Sequence, residues 1–174
     1  MLNNHRLIEN QERGFSLVEL LVSIFIISVI TGSVLTGFWR GQNQYAVTVA
    51  VQKFQVNLRR VQNMALAGKQ MPAGCVIPNC AKGFGVYSDS ATRYILFYNT
   101  DSSTIYDSGT SVMLESVILE KVTLSPTGKS IFFVPPDPTT YINGVNSGSQ
   151  VFIISSGLYS KNLTVYFSGL IEAN

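Results

Sequence analysis

The chain has 174 residues, 46% of them hydrophobic and only 13% charged, with 12 basic and 10 acidic side chains giving a formal net charge of +2. That length suits one soluble domain beside a membrane segment, and the positive mean hydropathy of +0.24 partly reflects that segment. Beyond residue 40, nine basic side chains oppose seven acidic ones with no dense cluster, so a pI near 8.6 argues only weakly for nucleic acid, whose footprint needs basic charge gathered on one face.

Residues 1–14 are mostly polar, running through Asn3, Asn4, His5, Arg6, Glu9 and Glu12 to Arg13 and Gly14. They do not form an ordinary signal peptide, which places a short apolar core and a small-residue cleavage site after its basic region. Here the apolar run is too long, and Thr31, Gly32 and Ser33 are only weak cleavage candidates. From Leu20 to Trp39 no residue is charged, and at about 1.5 Å per residue such a helix spans the roughly 30 Å hydrocarbon core of a bilayer. Arg13 before the run and Arg40 after it leave only a slight charge bias, toward a cytoplasmic N-terminus. Glu19 stands at the entrance of this run, and a carboxylate in hydrocarbon costs about 2.5–3.5 kcal/mol on insertion scales unless a partner compensates it.

In its residues Arg13-Gly14-Phe15-Ser16-Leu17-Val18-Glu19-Leu20-Leu21 the chain resembles the type IV pilin and type II secretion pseudopilin family, whose leaders end in Gly before a Phe-Ser/Thr-Leu-Val/Ile-Glu-Leu-Leu segment. The resemblance covers residues 13–30 closely. It implies cleavage between Gly14 and Phe15 by a prepilin peptidase, N-methylation of Phe15, and retention of residues 15–40 as a transmembrane and assembly helix. It gives Glu19 a candidate partner in the cationic amino terminus of Phe15 on a neighbouring subunit, since opposite charges attract strongly at low dielectric. The alternative is a glutamate that faces the headgroups with no partner. The implied partners are other pilins or pseudopilins, the peptidase and methyltransferase, an inner-membrane assembly platform and membrane lipid. The implied location is a single-pass inner membrane protein, its N-terminus cytoplasmic and its globular domain periplasmic or extracellular, later drawn into a filament.

Past the membrane, Val47, Val51, Phe54, Leu58, Val61 and Ala65 recur at spacings of four and three, the stripe of an amphipathic helix over 41–68. Gln52, Lys53, Gln55, Asn57, Arg59, Arg60, Gln62 and Asn63 fill the rest of its circumference, and Gly68 with Pro72 supplies the stop. Gly32, Gly37 and Gly41 interrupt the middle of the long helix, either as soft points for bending or as close-packing positions in the membrane. Cys75 and Cys80 enclose four residues, with Pro78 and Asn79 favouring a turn, so the reading is a small disulfide loop, or else two free thiols. A redox pair needs closer spacing and zinc needs more ligands than the lone His5 can add. Oxidised cysteines fit an extracytoplasmic location.

The remaining chain reads as short strands at 83–87, 94–98, 116–124, 130–134, 151–154 and 163–167, with Ser125-Pro126-Thr127-Gly128 as a hairpin turn. Segments 135–140 and 143–149 read as exposed loops. The expected fold is α+β: a long N-terminal helix packed on a C-terminal antiparallel β-sheet over 83–170, pilin-like, with residues 41–174 as one globular domain. This half also resembles, more loosely, the GspH/FimT-type minor pilins. The acidic calcium loop of major pseudopilins has no counterpart, because the last forty residues hold only Asp137 and Glu172, so neither metal nor cofactor is expected.

Catalysis is disfavoured, since no histidine follows Phe15 and neither clustered carboxylates nor a phosphate loop occurs. The preferred function is a non-enzymatic filament subunit, a minor pilin or pseudopilin. The alternative is a DNA-binding minor pilin of a DNA-uptake pilus, with Arg59, Arg60 and Lys69 as candidate contacts.

Overall fold

The computed structural model describes residues 15–69, 73–75, 80–136 and 139–174, with the backbone alone for 35–40. One helix, α1, covers Leu17–Leu66 and continues through Gly32, Gly37 and Gly41. Nine strands follow among the described residues: β1 Gly83–Ser90, β2 Arg93–Asn99, β3 Val112–Ile118, β4 Thr123–Ser125, β5 Ser130–Val134, β6 Thr139–Ile142, β7 Ser149–Ser156, β8 Tyr159–Tyr166 and β9 Ile171–Ala173. The chain divides into two compact units, Met1–Arg40 and Gly41–Asn174.

In the first unit the span Leu17–Val34 has a mean hydropathy of 2.3 and none of it is buried in protein. It is a helix long and apolar enough to cross a membrane. Its three serines do not spoil that solvent match: the hydroxyls of Ser23, Ser28 and Ser33 donate to the carbonyls of Glu19, Ile24 and Val29 at 2.7, 2.8 and 3.0 Å. Each polar hydrogen is thus satisfied within the helix, as hydrocarbon demands.

The second unit is an α+β domain built on the helix stripe read from the sequence. Val47, Val51, Phe54, Leu58, Val61 and Ala65 are all buried, joined by Ala50. Phe54 anchors the core, its ring 4.7 Å from Tyr94 of β2 and 5.2 Å, edge-on, from Phe152 of β7. Burying one such side chain contributes about 1.5–3 kcal/mol. Asn57, expected on the solvated side, is instead buried, because its amide finds the Tyr94 hydroxyl.

The strands are antiparallel throughout but form two sheets rather than one, in the orders β3-β2-β1-β5-β6 and β4-β7-β8-β9. Alternation divides the five-stranded sheet: Phe84, Val86, Tyr94, Leu96, Ile131 and Phe133 join the helix in the main core. Ile95, Phe97 and Phe132 form a second cluster on the other face, with Tyr87, Tyr106, Val134 and Tyr141 packed against it. Gly85 of β1 makes room there, because a Cβ would lie 2.6 Å from the Ile131 carbonyl oxygen and 2.7 Å from the Phe97 ring.

Three expectations need correction. The run 116–124 is two strands in different sheets, β3 and β4, broken at Lys121, whose φ of 61° lies in the left-handed region. Its burial shows the slip, since Val117 and Leu119 are buried, then Val122 and Leu124, one residue out of phase. The turn at 125–128 is not a hairpin, because β4 and β5 on either side belong to different sheets. Finally, Thr139 and Thr140 are not in an exposed loop: they begin β6, Thr140 is fully buried, and Thr140 pairs with Phe133. Residues 143–148 do form the β6–β7 connection, and pairing extends to Ala173 through β9.

Candidate functional site

The anchoring end begins at Phe15, which is 78% exposed and lies before α1. Ser16 accepts the first helical bond, from the Leu20 N–H at 3.1 Å, which makes it the residue before Leu17 and places Glu19 third in the helix. Ser-x-x-Glu is the spacing of a capping box, and a carboxylate in the first turn also meets the positive end of the helix dipole. The sequence reading did not use this spacing of Ser16 and Glu19, though it lies in plain order. Among the described residues the ion pairs are Arg60 with Glu115 and Arg93 with Asp89, so Glu19 has no counter-charge in its own chain there. Gly14 lies outside the described residues.

The three cations singled out in the sequence line one open groove of about 650 Å³, with Val56, Asn63, Met64 and Ala67. Helical spacing brings Arg59 and Arg60 alongside Asn63, and the helix end brings Lys69. Gly68, at a φ of 55°, donates its N–H to the Ala65 carbonyl at 2.9 Å, and the Lys69 N–H donates to that of Met64 at 3.0 Å. That pair of bonds is a Schellman motif, which folds Lys69 back over the last turn. Arg60 is engaged, its guanidinium 2.6 Å from a Glu115 carboxylate oxygen on β3. No carboxylate among the described residues pairs with Arg59 or Lys69.

Cys75 and Cys80 are joined in a disulfide, with Cα atoms 5.4 Å apart. The turn expected at Pro78 and Asn79 lies outside the described residues. Among the described residues no three His, Cys, Asp or Glu side chains are grouped to hold a metal ion.

Residues 10–35 match the family model of the prokaryotic N-terminal methylation motif. The chain finds no match among curated proteins or solved structures. The matched residues bracket Gly14, Phe15 and Glu19, so the apolar helix carries a type IV pilin-like prepilin signal and is the segment that fits a membrane anchor.

Proposed function

We propose that this chain is a structural subunit, a minor pilin or pseudopilin, of a type IV filament or type II secretion pseudopilus. Prepilin peptidase cuts between Gly14 and Phe15, the new amine of Phe15 is methylated, and the helix anchors the subunit in the inner membrane until assembly. The observation that carries this reading is Glu19: a carboxylate without an intrachain partner among the described residues, in an unburied apolar helix, four residues beyond the expected new amino terminus. In hydrocarbon such a charge calls for a counter-charge from outside the chain, and the amine of a neighbouring subunit supplies one. The globular unit then sits outside the cytoplasm, which agrees with the Cys75–Cys80 disulfide.

Coexpression with a prepilin peptidase, followed by intact mass and amino-terminal analysis, tests the reading. A product beginning at methylated Phe15 supports it, whereas cleavage after Gly32 or Ser33 removes it.

DNA contact is the second reading, favoured by the three cations on one groove. Pairing of Arg60 with Glu115 leaves Arg59 and Lys69, and two phosphate contacts correspond to a salt slope of only about −1.8 on duplex DNA.

A further inference from the structure

Charge is divided along the globular unit. Residues 41–88 hold five basic side chains and no acidic one, whereas residues 89–174 hold seven acidic and four basic. The fold turns this division into two faces. The helix buries one stripe in the core, so the groove of Val56, Arg59 and Lys69 opens on the side away from the sheets. The second face is the outer side of the five-stranded sheet, where the β2–β3 loop lies over the aromatic cluster. Tyr106 of that loop stacks on Tyr87 at 4.4 Å and meets the Phe97 ring edge-on at 5.1 Å. Beside this stack an open groove of about 440 Å³ is lined by Tyr87, Asp89, Ile105, Tyr106, Asp107 and Ser108. Asp89 is paired with Arg93, while Asp107 is exposed and its carboxylate accepts the Gly109 N–H at 2.8 Å.

We propose that the basic groove of one copy of this chain receives the acidic, tyrosine-bearing β2–β3 loop of a second copy. The chemistry is matched on both sides. Arg59 and Lys69 bring unpaired cations above an apolar floor of Val56 and Met64, and the loop brings Asp107 with exposed Ile105 and the face of Tyr106. An arginine beside a carboxylate and over an aromatic face gains from both. The two faces lie on opposite sides of the helix–sheet layers, so the contact is head-to-tail. It leaves one groove and one loop unfilled at the ends, and it propagates a row of subunits rather than closing a dimer. Exposed ion pairs are individually weak, so the contact sets the register of copies already gathered in a membrane. It concerns residues 41–174 and does not require that Phe15 become the amino terminus.

The test uses the uncleaved full chain in liposomes with a photo-crosslinking residue at position 56. The expected product joins position 56 of one copy to the 100–111 loop of another. Arg59→Glu with Lys69→Glu should lower its yield at least tenfold, and so should Asp107→Lys. Asp107→Asn, which keeps the turn, should lower it less but clearly. Mixing the groove variant with the loop variant should restore crosslinking, because the intact groove meets the intact loop and the reversed, acidic groove meets the reversed, lysine-bearing loop. A crosslink insensitive to these charges, a product to lipid only, or no restoration on mixing overturns the proposal. So does displacement of the crosslink by a single-stranded oligonucleotide at low salt, which would assign the groove to nucleic acid.

Discussion

The side-chain amide of Asn57 on the helix donates to the hydroxyl of Tyr94 on β2 at 2.8 Å, inside the buried junction between helix and sheet. Phe54, one turn earlier, packs on the same tyrosine ring. The bond therefore fixes the rotation of the helix against the sheet and, through it, which residues face outward into the basic groove. Removing one partner leaves the other buried and unsatisfied, at a cost of about 1–3 kcal/mol. Tyr94→Phe and Asn57→Leu should each lower the denaturation midpoint of the detergent-solubilised chain, while the double variant should lose less than the sum of the two.

The same hydroxyl makes stability depend on alkaline pH. Burial, the dominant cause, pushes the Tyr94 hydroxyl up to about 12; the Asn57 bond pulls it down, and the Glu115 charge adds a further rise. In the unfolded chain a tyrosine ionises near 10. Between about 10 and about 12 the unfolded chain therefore binds fewer protons than the folded one, so stability falls as pH rises through that window and is complete below it. Denaturation midpoints followed across this range should fall less steeply in Tyr94→Phe than in the parent.

Two glycines should respond in opposite directions to the same substitution. At Gly85 an added Cβ meets the Ile131 backbone and the Phe97 ring below 3 Å, so Gly85→Ala should destabilise by about 1–3 kcal/mol as overpacking does. At Gly41, within α1, nothing lies within 4 Å of an added Cβ. Gly41→Ala should stabilise the helix by about 0.8–1 kcal/mol, readable as a raised melting temperature by circular dichroism.

Gly68 holds the left-handed turn that brings Lys69 back over Met64. With an alanine there the conformation costs about 1–2 kcal/mol. Gly68→Ala should lower the denaturation midpoint by a corresponding amount, because alanine strains the Schellman turn that ends the helix.

The helix was legible because its pattern is local: Val47 through Ala65 keep a spacing of three and four, and every one is buried. Asn57 was not, since a polar amide turns inward only when an acceptor waits there, and Tyr94 lies 37 residues away. The break at Lys121 was hidden by the core itself, because Leu119, just past β3, and Leu124 of β4 enter the same hydrophobic cluster although the two strands belong to different sheets. Thr140 reads as a loop residue after three prolines, yet pairing with Phe133 makes it strand. The prepilin signal could be read directly because its residues are contiguous. The two charged grooves could not, as one joins a helix face to the residue after its cap and the other joins β1 to a loop that sequence patterning left undefined.

Glu19 has two physical roles open to it, and they separate by substitution. As the third residue after the Ser16 cap it can hold its own helix start, a role that glutamine fills as well as glutamate. As the counter-charge of a neighbouring amine it needs ionisation, which glutamine lacks. Both Glu19→Gln and Glu19→Ala should still insert, because removing a carboxylate from an apolar span lowers the insertion cost by about 2.5–3.5 kcal/mol. If the charge directs assembly, Glu19→Gln should enter filaments as poorly as Glu19→Ala when sheared filament and membrane fractions are compared by immunoblot. Parent-level incorporation of Glu19→Gln beside a defective Glu19→Ala would assign the residue to capping alone, and the intersubunit pair with Phe15 would have to be abandoned.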